Sequence, residues 1–364
     1  MKLIKQRRLV LVIAVAFMLS CVFMSACDSS SSAPAGSTPP ATTAPADTPT
    51  GDSDEHYIMR MGVGAGGGNP QVKFMEEFKI EAEAASGGRL TVETYPSGQL
   101  GTLAQMIQGV QDGSVGGYLM PTNYYSTIVP ELEVLDMPSF WEDTAHITKA
   151  MMENETSLSP LLEDAGVIPM AWVYLNDQII ASNRNLTTLA DFKGGKTWCN
   201  PGQLVTLTVE AIGLTPSLLD SGEVTSALQN GTVDMALAGA PFFFPYNIQD
   251  VTKYLVLTPK QATCSLFAVS KTWFDTMPAD IQQIIRDSAT KVNTEIVFDY
   301  GIGFQQTCID NMVDAGMTLI EPEGALKAEL DAAYSDVPAK YLAANPDKQA
   351  IFDEIKALAD KTRP

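Results

Sequence analysis

From residue 55 onward the apolar positions switch back and forth between two periods. Residues 57–63 alternate, as a half-buried strand does; 70–85 repeat at the helical spacing and stop at Gly87-Gly88; 89–95 alternate again. The next helix sets Leu103, Met106, Ile107 and Val110 on one face, ends at Gly113 and leads into a third strand over 114–120. Further along, helices are predicted over 144–153, 158–165, 203–212 and 223–229. Strands are predicted over 167–175, 178–183, 196–199, 232–237, 251–257, 263–270 and 317–320. One long amphipathic helix covers 278–315, and two helices close the chain. Strands alternating with helices predict an α/β fold.

The order repeats inside the chain. Val110-Gln111-Asp112-Gly113-Ser114-Val115 matches Leu228-Gln229-Asn230-Gly231-Thr232-Val233, helix, glycine and strand in both. The echo predicts two α/β lobes facing each other across a cleft. Lobe one covers about 55–175 and lobe two about 176–257, with crossing strands and C-terminal helices over 258–364.

Open α/β sheets place ligands at the carboxyl ends of their strands, so the residues there are the candidates. After the first strand comes a glycine run at 62–68, including Gly64; after the third come Asn123, Tyr124 and Tyr125. In the strand after Lys193-Gly194-Gly195, Lys196, Trp198 and Asn200 share one face. Trp198 either looks into the crevice or is a core aromatic. Trp172, Tyr174, Asn176 and Gln178 share parity if the extended chain runs on without a bulge, and Ala238, Phe242 and Tyr246 belong to lobe two's counterpart loop. Gly62, Gly64 and Gly67 formally satisfy the dinucleotide-binding G-x-G-x-x-G. A run of glycines is too permissive to carry that reading, and a loop whose backbone approaches a ligand explains it as well.

The ends of the chain add an address. Lys2, Lys5, Arg7 and Arg8 precede a short apolar run, which reads as a signal peptide over 1–26. Met24-Ser25-Ala26-Cys27 resembles a bacterial lipobox, which implies cleavage before Cys27 and a lipid anchor on it; Cys21, after Met18-Leu19-Ser20, fits less well. Residues 27–54 are Ser, Pro, Thr, Ala and Gly with almost no large apolar side chain, a composition that stays disordered and serves as a tether. Without the signal the chain keeps 19 basic against 43 acidic residues, a net of −24, which argues against nucleic acid or anionic lipid as a partner. Cys199, Cys264 and Cys308 make no metal or redox pattern and allow one disulfide at most, or buried free thiols. The two histidines are His56 and His146, and no H-E-x-x-H, G-x-S-x-G or C-x-x-C occurs. Asp136, Glu142 and Asp143 read as a solvated loop face. No catalysis, cofactor or metal is expected.

Five stretches in order carry a family resemblance: Tyr95-Pro96-Ser97-Gly98-Gln99-Leu100-Gly101; Val129-Pro130-Glu131 with Met137-Pro138; Asp191-Phe192-Lys193-Gly194; Ala227-Leu228-Gln229-Asn230-Gly231-Thr232-Val233-Asp234; and Trp273-Phe274-Asp275-Thr276-Met277-Pro278. Together they resemble the DctP-type solute-binding proteins of TRAP transporters. The resemblance implies a two-lobed periplasmic-binding-protein-like fold with a long scaffold helix under both lobes. It implies an extracytoplasmic receptor, expected to be monomeric, that hands a small organic solute to a small and a large membrane subunit driven by an ion gradient. In the family an Arg after the Asp-Leu-Lys-Gly motif pairs with the solute's carboxylate; that position here is Trp198. A second family Arg falls on Gln178, and a family Asn near Ala238.

Bidentate Arg is the strong receptor for a planar carboxylate, and neither Trp nor Gln replaces it. The expected solute is therefore neutral, zwitterionic or cationic, with an apolar or ring-shaped body stacked on Trp198. The alternative solute is an organic acid held by backbone N–H groups of the 64–68 loop and by helix N-termini. The alternative function is a receptor for an ABC importer, which shares the two-lobed plan.

Overall fold

The computed structural model describes residues 55–219 and 221–364. The signal peptide, the tether and Cys27 lie outside the described residues. Within them, nine strands join one hydrogen-bonded sheet: β1 (Tyr57–Val63), β2 (Leu90–Tyr95), β3 (Gly117–Pro121), β4 (Val167–Ser182), β5 (Lys196–Trp198), β6 (Thr215–Ser217), β7 (Met235–Ala238), β8 (Tyr254–Ser270) and β9 (Thr318–Ile320). The order is β2-β1-β3-β8-β4-β7-β5-β6, with β9 beside β8.

Two strands build the bridge between lobes. β4 and β8 run antiparallel along their whole length, from Val167 opposite Ser270 to Ser182 opposite Tyr254. The later part of β8 also pairs with β3 in lobe one, and the later part of β4 with β7 in lobe two. Within each lobe the remaining strands are parallel, β2-β1-β3 on one side and β7-β5-β6 on the other. The apolar pattern predicts two strands where each bridge strand is in fact continuous. Asn176-Asp177 and Gln261 interrupt the apolar pattern where the bridge strands pass between the lobes.

The crossing also overturns the parity expectation. The register of β4 against β8 slips between Tyr174 and Asn176, and again between Asp177 and Ile179. A bulge turns the following side chains to the other face. Trp172 and Tyr174 therefore do not share a face with Asn176 and Gln178.

Helices cover both faces of each lobe. In lobe one, Phe74 and Phe78 of the helix Pro70–Ala85 pack on Phe267 of β8 at ring-centroid distances of 5.1 Å each. The long helix starts at Ala279 and reaches Asp314, with one π turn at Asn293–Val297. Its first half buries Ile281, Ile285 and Ala289 in lobe one's core; its second half buries Cys308, Ile309 and Met312 in lobe two's. One helix thus underlies both lobes. Asn293, in the π turn, donates from Nδ2 to the Trp172 carbonyl at 2.6 Å. The chain closes with three α-helices rather than two: Gly324–Ser335, Val337–Ala344 and Gln349–Thr362. Pro338 restarts the second, since proline suits a helix's first turn but not its interior. The last helix returns to lobe one, where Phe352 meets Phe140 edge-on at 5.0 Å.

The internal echo is structural. Gly113 (φ 88°) and Gly231 (φ 75°) both take the left-handed conformation after their helices, and each chain then leads into a strand of its own lobe. Among the described residues no helix is long and apolar enough to cross a membrane.

Candidate functional site

A cavity of about 640 Å³ lies between the lobes. Its walls come from the carboxyl ends of four strands: the 64–67 loop after β1, Pro121 and Tyr124 after β3, Trp198 and Asn200 at β5, and Ala238, Gly239 and Phe242 after β7. The bridge contributes Leu175, Asn176 and Gln178. Parallel strands that begin in the core and end at the cleft place these loops together, as the sequence pattern predicts.

Lobe two supplies an aromatic wall. Trp198 is 2% exposed, stacks on Phe242 with centroids 5.2 Å apart and planes at 14°, and donates from Nε1 to the Leu219 carbonyl at 2.9 Å. Phe242 stacks in turn on Tyr246 at 4.5 Å. Trp198 is therefore both a core aromatic and a cavity wall. Tyr124 comes from lobe one; burial, and then the nearby Tyr246, raise its phenol pKa.

Unpartnered polar atoms point at this space. Tyr118 Oη and Asn176 Nδ2 are buried without a hydrogen-bond partner, and both residues line the cavity. Buried polar groups are almost always paired, so such atoms mark where a ligand or water completes the bonding.

A small polar annex of about 30 Å³ shares Gln178 and Asn200 with the main cavity. Asn123, Asp136, Thr208, Gln261 and Thr263 form the rest of its polar lining. Gln178 Nε2 donates to Thr263 Oγ1 at 2.9 Å. Asn123 Oδ1 and Asp136 Oδ1 are buried and unpartnered. Burial, and then the charge of Glu133, push the Asp136 carboxyl up to about 8 against a smaller opposing effect of Thr122.

Among the described residues lining the cavity or annex there is no Lys, Arg or His. Lys196 is exposed and lines neither.

The sequence expectations divide accordingly. Gly64, Tyr124, Asn176, Gln178, Trp198, Asn200, Ala238 and Phe242 line the main cavity; Asn123 lines the annex. Trp172 and Tyr174 are corrections. Trp172 packs in lobe one's core, and Tyr174 lies edge-on to Phe298 at 6.4 Å and against Gly301, where an added Cβ would sit 2.6 Å from the ring. The bulge at Leu175 turns the residues after it, and not these two, to the cavity. Asp136 is a correction of the opposite kind: it is a cavity group, not part of a solvated loop face. The apolar Leu132, Val134, Leu135 and Met137 around it were the available signal. Tyr118 and Gly239 also line the cavity without having been singled out. Cys199, Cys264 and Cys308 are free and buried.

Residues 61–345 match the family model described as bacterial extracellular solute-binding protein, family 7 (DctP). The C4-dicarboxylate-binding periplasmic protein DctP of Rhodobacter capsulatus is 27% identical over 74% of this chain and 80% of its own. The ectoine/5-hydroxyectoine-binding periplasmic protein UehA of Ruegeria pomeroyi is 23% identical over 78% of this chain and 85% of its own. Among solved structures, a TRAP periplasmic solute-binding protein from Ochrobactrum anthropi, with its C-terminus bound in the ligand-binding pocket, is 25% identical at a TM-score of 0.77; the match covers 85% of this chain and 96% of that one.

Proposed function

The chain belongs to the bacterial extracellular solute-binding protein family 7, the DctP type that serves TRAP transporters, and we propose on that premise that its solute is neutral or carries a cationic group. The protein is a receptor and not an enzyme. Its relatives include both a C4-dicarboxylate binder and an ectoine binder.

One observation carries the reading: the interlobe cavity, of which Trp198 forms a wall, has no cationic side chain among the described residues that line it. In this reading Trp198 takes the place where the family pairs a carboxylate. Enclosing a carboxylate without a cationic partner costs several kcal/mol. A ring or apolar body laid on the Trp198–Phe242 wall carries no such cost, and a cation over an aromatic face gains about 0.5–2 kcal/mol. The second reading, an organic acid held by backbone N–H groups, draws on the 64–67 loop, which lines the cavity just before the helix Pro70–Ala85.

The receptor acts outside the cytoplasm. In this reading Cys27 carries the lipid, residues 27–54 tether the body, and the loaded monomer docks on the two membrane subunits. A thermal-shift screen over mono- and dicarboxylates, sugar acids, amines and neutral polyols tests the solute class. Stabilisation confined to neutral or amine ligands supports it. Strong stabilisation by a C4-dicarboxylate, unchanged in Trp198→Phe, overturns it.

A further inference from the structure

We propose that the annex around Asp136 is a head-group subsite that takes one protonated amine of the solute. The inference rests on reading the interlobe cavity as a solute site, and it names the chemical group that the annex takes.

The annex has room for one ammonium-sized group and not for a ring. Two of its oxygens, Asp136 Oδ1 and Asn123 Oδ1, are buried without a hydrogen-bond partner, and the Asp136 oxygen is an acceptor once its carboxyl ionises. Asn123 is 8% exposed, so solvent does not reach it freely. An ammonium offers three N–H donors and no acceptor, which suits an amide oxygen and a carboxylate lining the same small space. An alcohol satisfies one of them. The annex opens past Gln178 and Asn200, so a chain running from it emerges beside the aromatic wall, with Trp198 and Phe242 in the same cavity.

Charge around Asp136 supports the assignment. Glu133 acts on it from the same turn, and the Cys264 thiol on β8 is itself pushed up by burial and by Asp136. No cation among the described lining residues neutralises it, so the empty annex holds the carboxyl protonated near neutrality. An entering ammonium stabilises the carboxylate, and the Asp136 proton leaves to solvent as the ion pair forms. Amine binding then strengthens as pH rises toward 8, the value to which the Asp136 carboxyl is pushed.

The test uses probes that share one four-carbon chain and differ at the ends: putrescine, 4-aminobutyrate, butane-1,4-diol and succinate. Titration calorimetry of the wild type and of Asp136→Asn, in buffers of different ionisation heat, reads affinity and proton release together. The amine probes are expected to bind the wild type at least about tenfold more tightly than the diol, and to lose that margin in Asp136→Asn. Proton release near neutral pH is expected in the wild type and not in the variant. Asn123→Ala provides a second variant, with the same direction of change. Melting curves of both variants establish that they fold. Equal amine affinity in wild type and Asp136→Asn overturns the subsite and leaves the solute class standing. No amine binding to the wild type at about 10 mM also overturns it. Succinate as the tightest probe overturns the subsite and the proposed solute class together.

Discussion

Asn176 lies flat against Gly239, so close that a Cβ added to Gly239 would sit 2.1 Å from the Asn176 carboxamide carbon. The contact joins the bridge strand to the end of β7 and fixes where the Asn176 amide points. Gly239 has ordinary φ and is needed for space rather than for backbone freedom. Gly239→Ala is expected to displace Asn176, to cost about 1–3 kcal/mol of stability, and to weaken solute binding more than it weakens folding. Denaturant melts with and without a stabilising solute separate the two effects.

Tyr118 closes the cavity from lobe one with a buried hydroxyl that has no partner. An unsatisfied buried group costs about 1–3 kcal/mol. Tyr118→Phe should therefore leave the empty receptor as stable as the wild type or more stable, while reducing solute affinity. A loss of stability in the empty protein would show that the hydroxyl is satisfied in solution, and would remove it from the site.

Trp198 has two roles, and two substitutions separate them. Trp198→Ala empties a packed position and is expected to cost about 3–5 kcal/mol. Trp198→Phe keeps a ring beside Phe242 and loses the bond to the Leu219 carbonyl; a cost of about 1 kcal/mol is expected, with solute stacking retained. Solute-induced thermal shifts of the Phe variant that match the wild type support a stacking wall.

The pH dependence follows from Asp136 and Asp177. Burial raises both carboxyls above their ordinary value of 3.8, Asp136 up to about 8. The Asp177 carboxyl is raised although it accepts from the Thr144 backbone N–H at 2.6 Å and from Gln305 Nε2 at 3.1 Å, bonds that favour the charged form. A folded state that binds protons more tightly than the unfolded chain loses stability as pH rises between the two values. Without ligand, the wild type should be most stable at and below about pH 4 as far as these two groups decide, and should weaken toward pH 8. Asp136→Asn should melt higher than the wild type at pH 8, with the gap closing toward pH 4. A gap independent of pH would mean that Asp136 titrates as an exposed carboxyl does.

Cys27 is the proposed anchor. Cys27→Ser should move the protein from the membrane fraction to the soluble extracytoplasmic fraction, with solute-induced thermal shifts unchanged. Wild-type protein that is already soluble, with a mature N-terminus other than Cys27, would refute the anchor.

Much of the fold was legible in the chain because its cause is local. The strand Tyr57–Val63 and the helices Pro70–Ala85 and Thr144–Glu153 lie where the periodicity predicts them, since side-chain spacing and end residues act over a few positions. Trp198 is likewise a candidate without coordinates, because it lies at the end of a strand, where an open α/β sheet puts its crevice. Tertiary structure alone decided the rest. β4 is one strand because β8, distant in sequence, pairs with it through both lobes, and the slip at Leu175 is set by that partner. Register is a property of two strands, and a single strand's pattern cannot carry it. The slip put Asn176 and Gln178 in the cavity and left Trp172 and Tyr174 in the packed interior. Asp136 was decided in the same way: the apolar residues around it hint at burial, but only the tertiary packing brings its carboxyl to the annex and leaves Oδ1 without a partner.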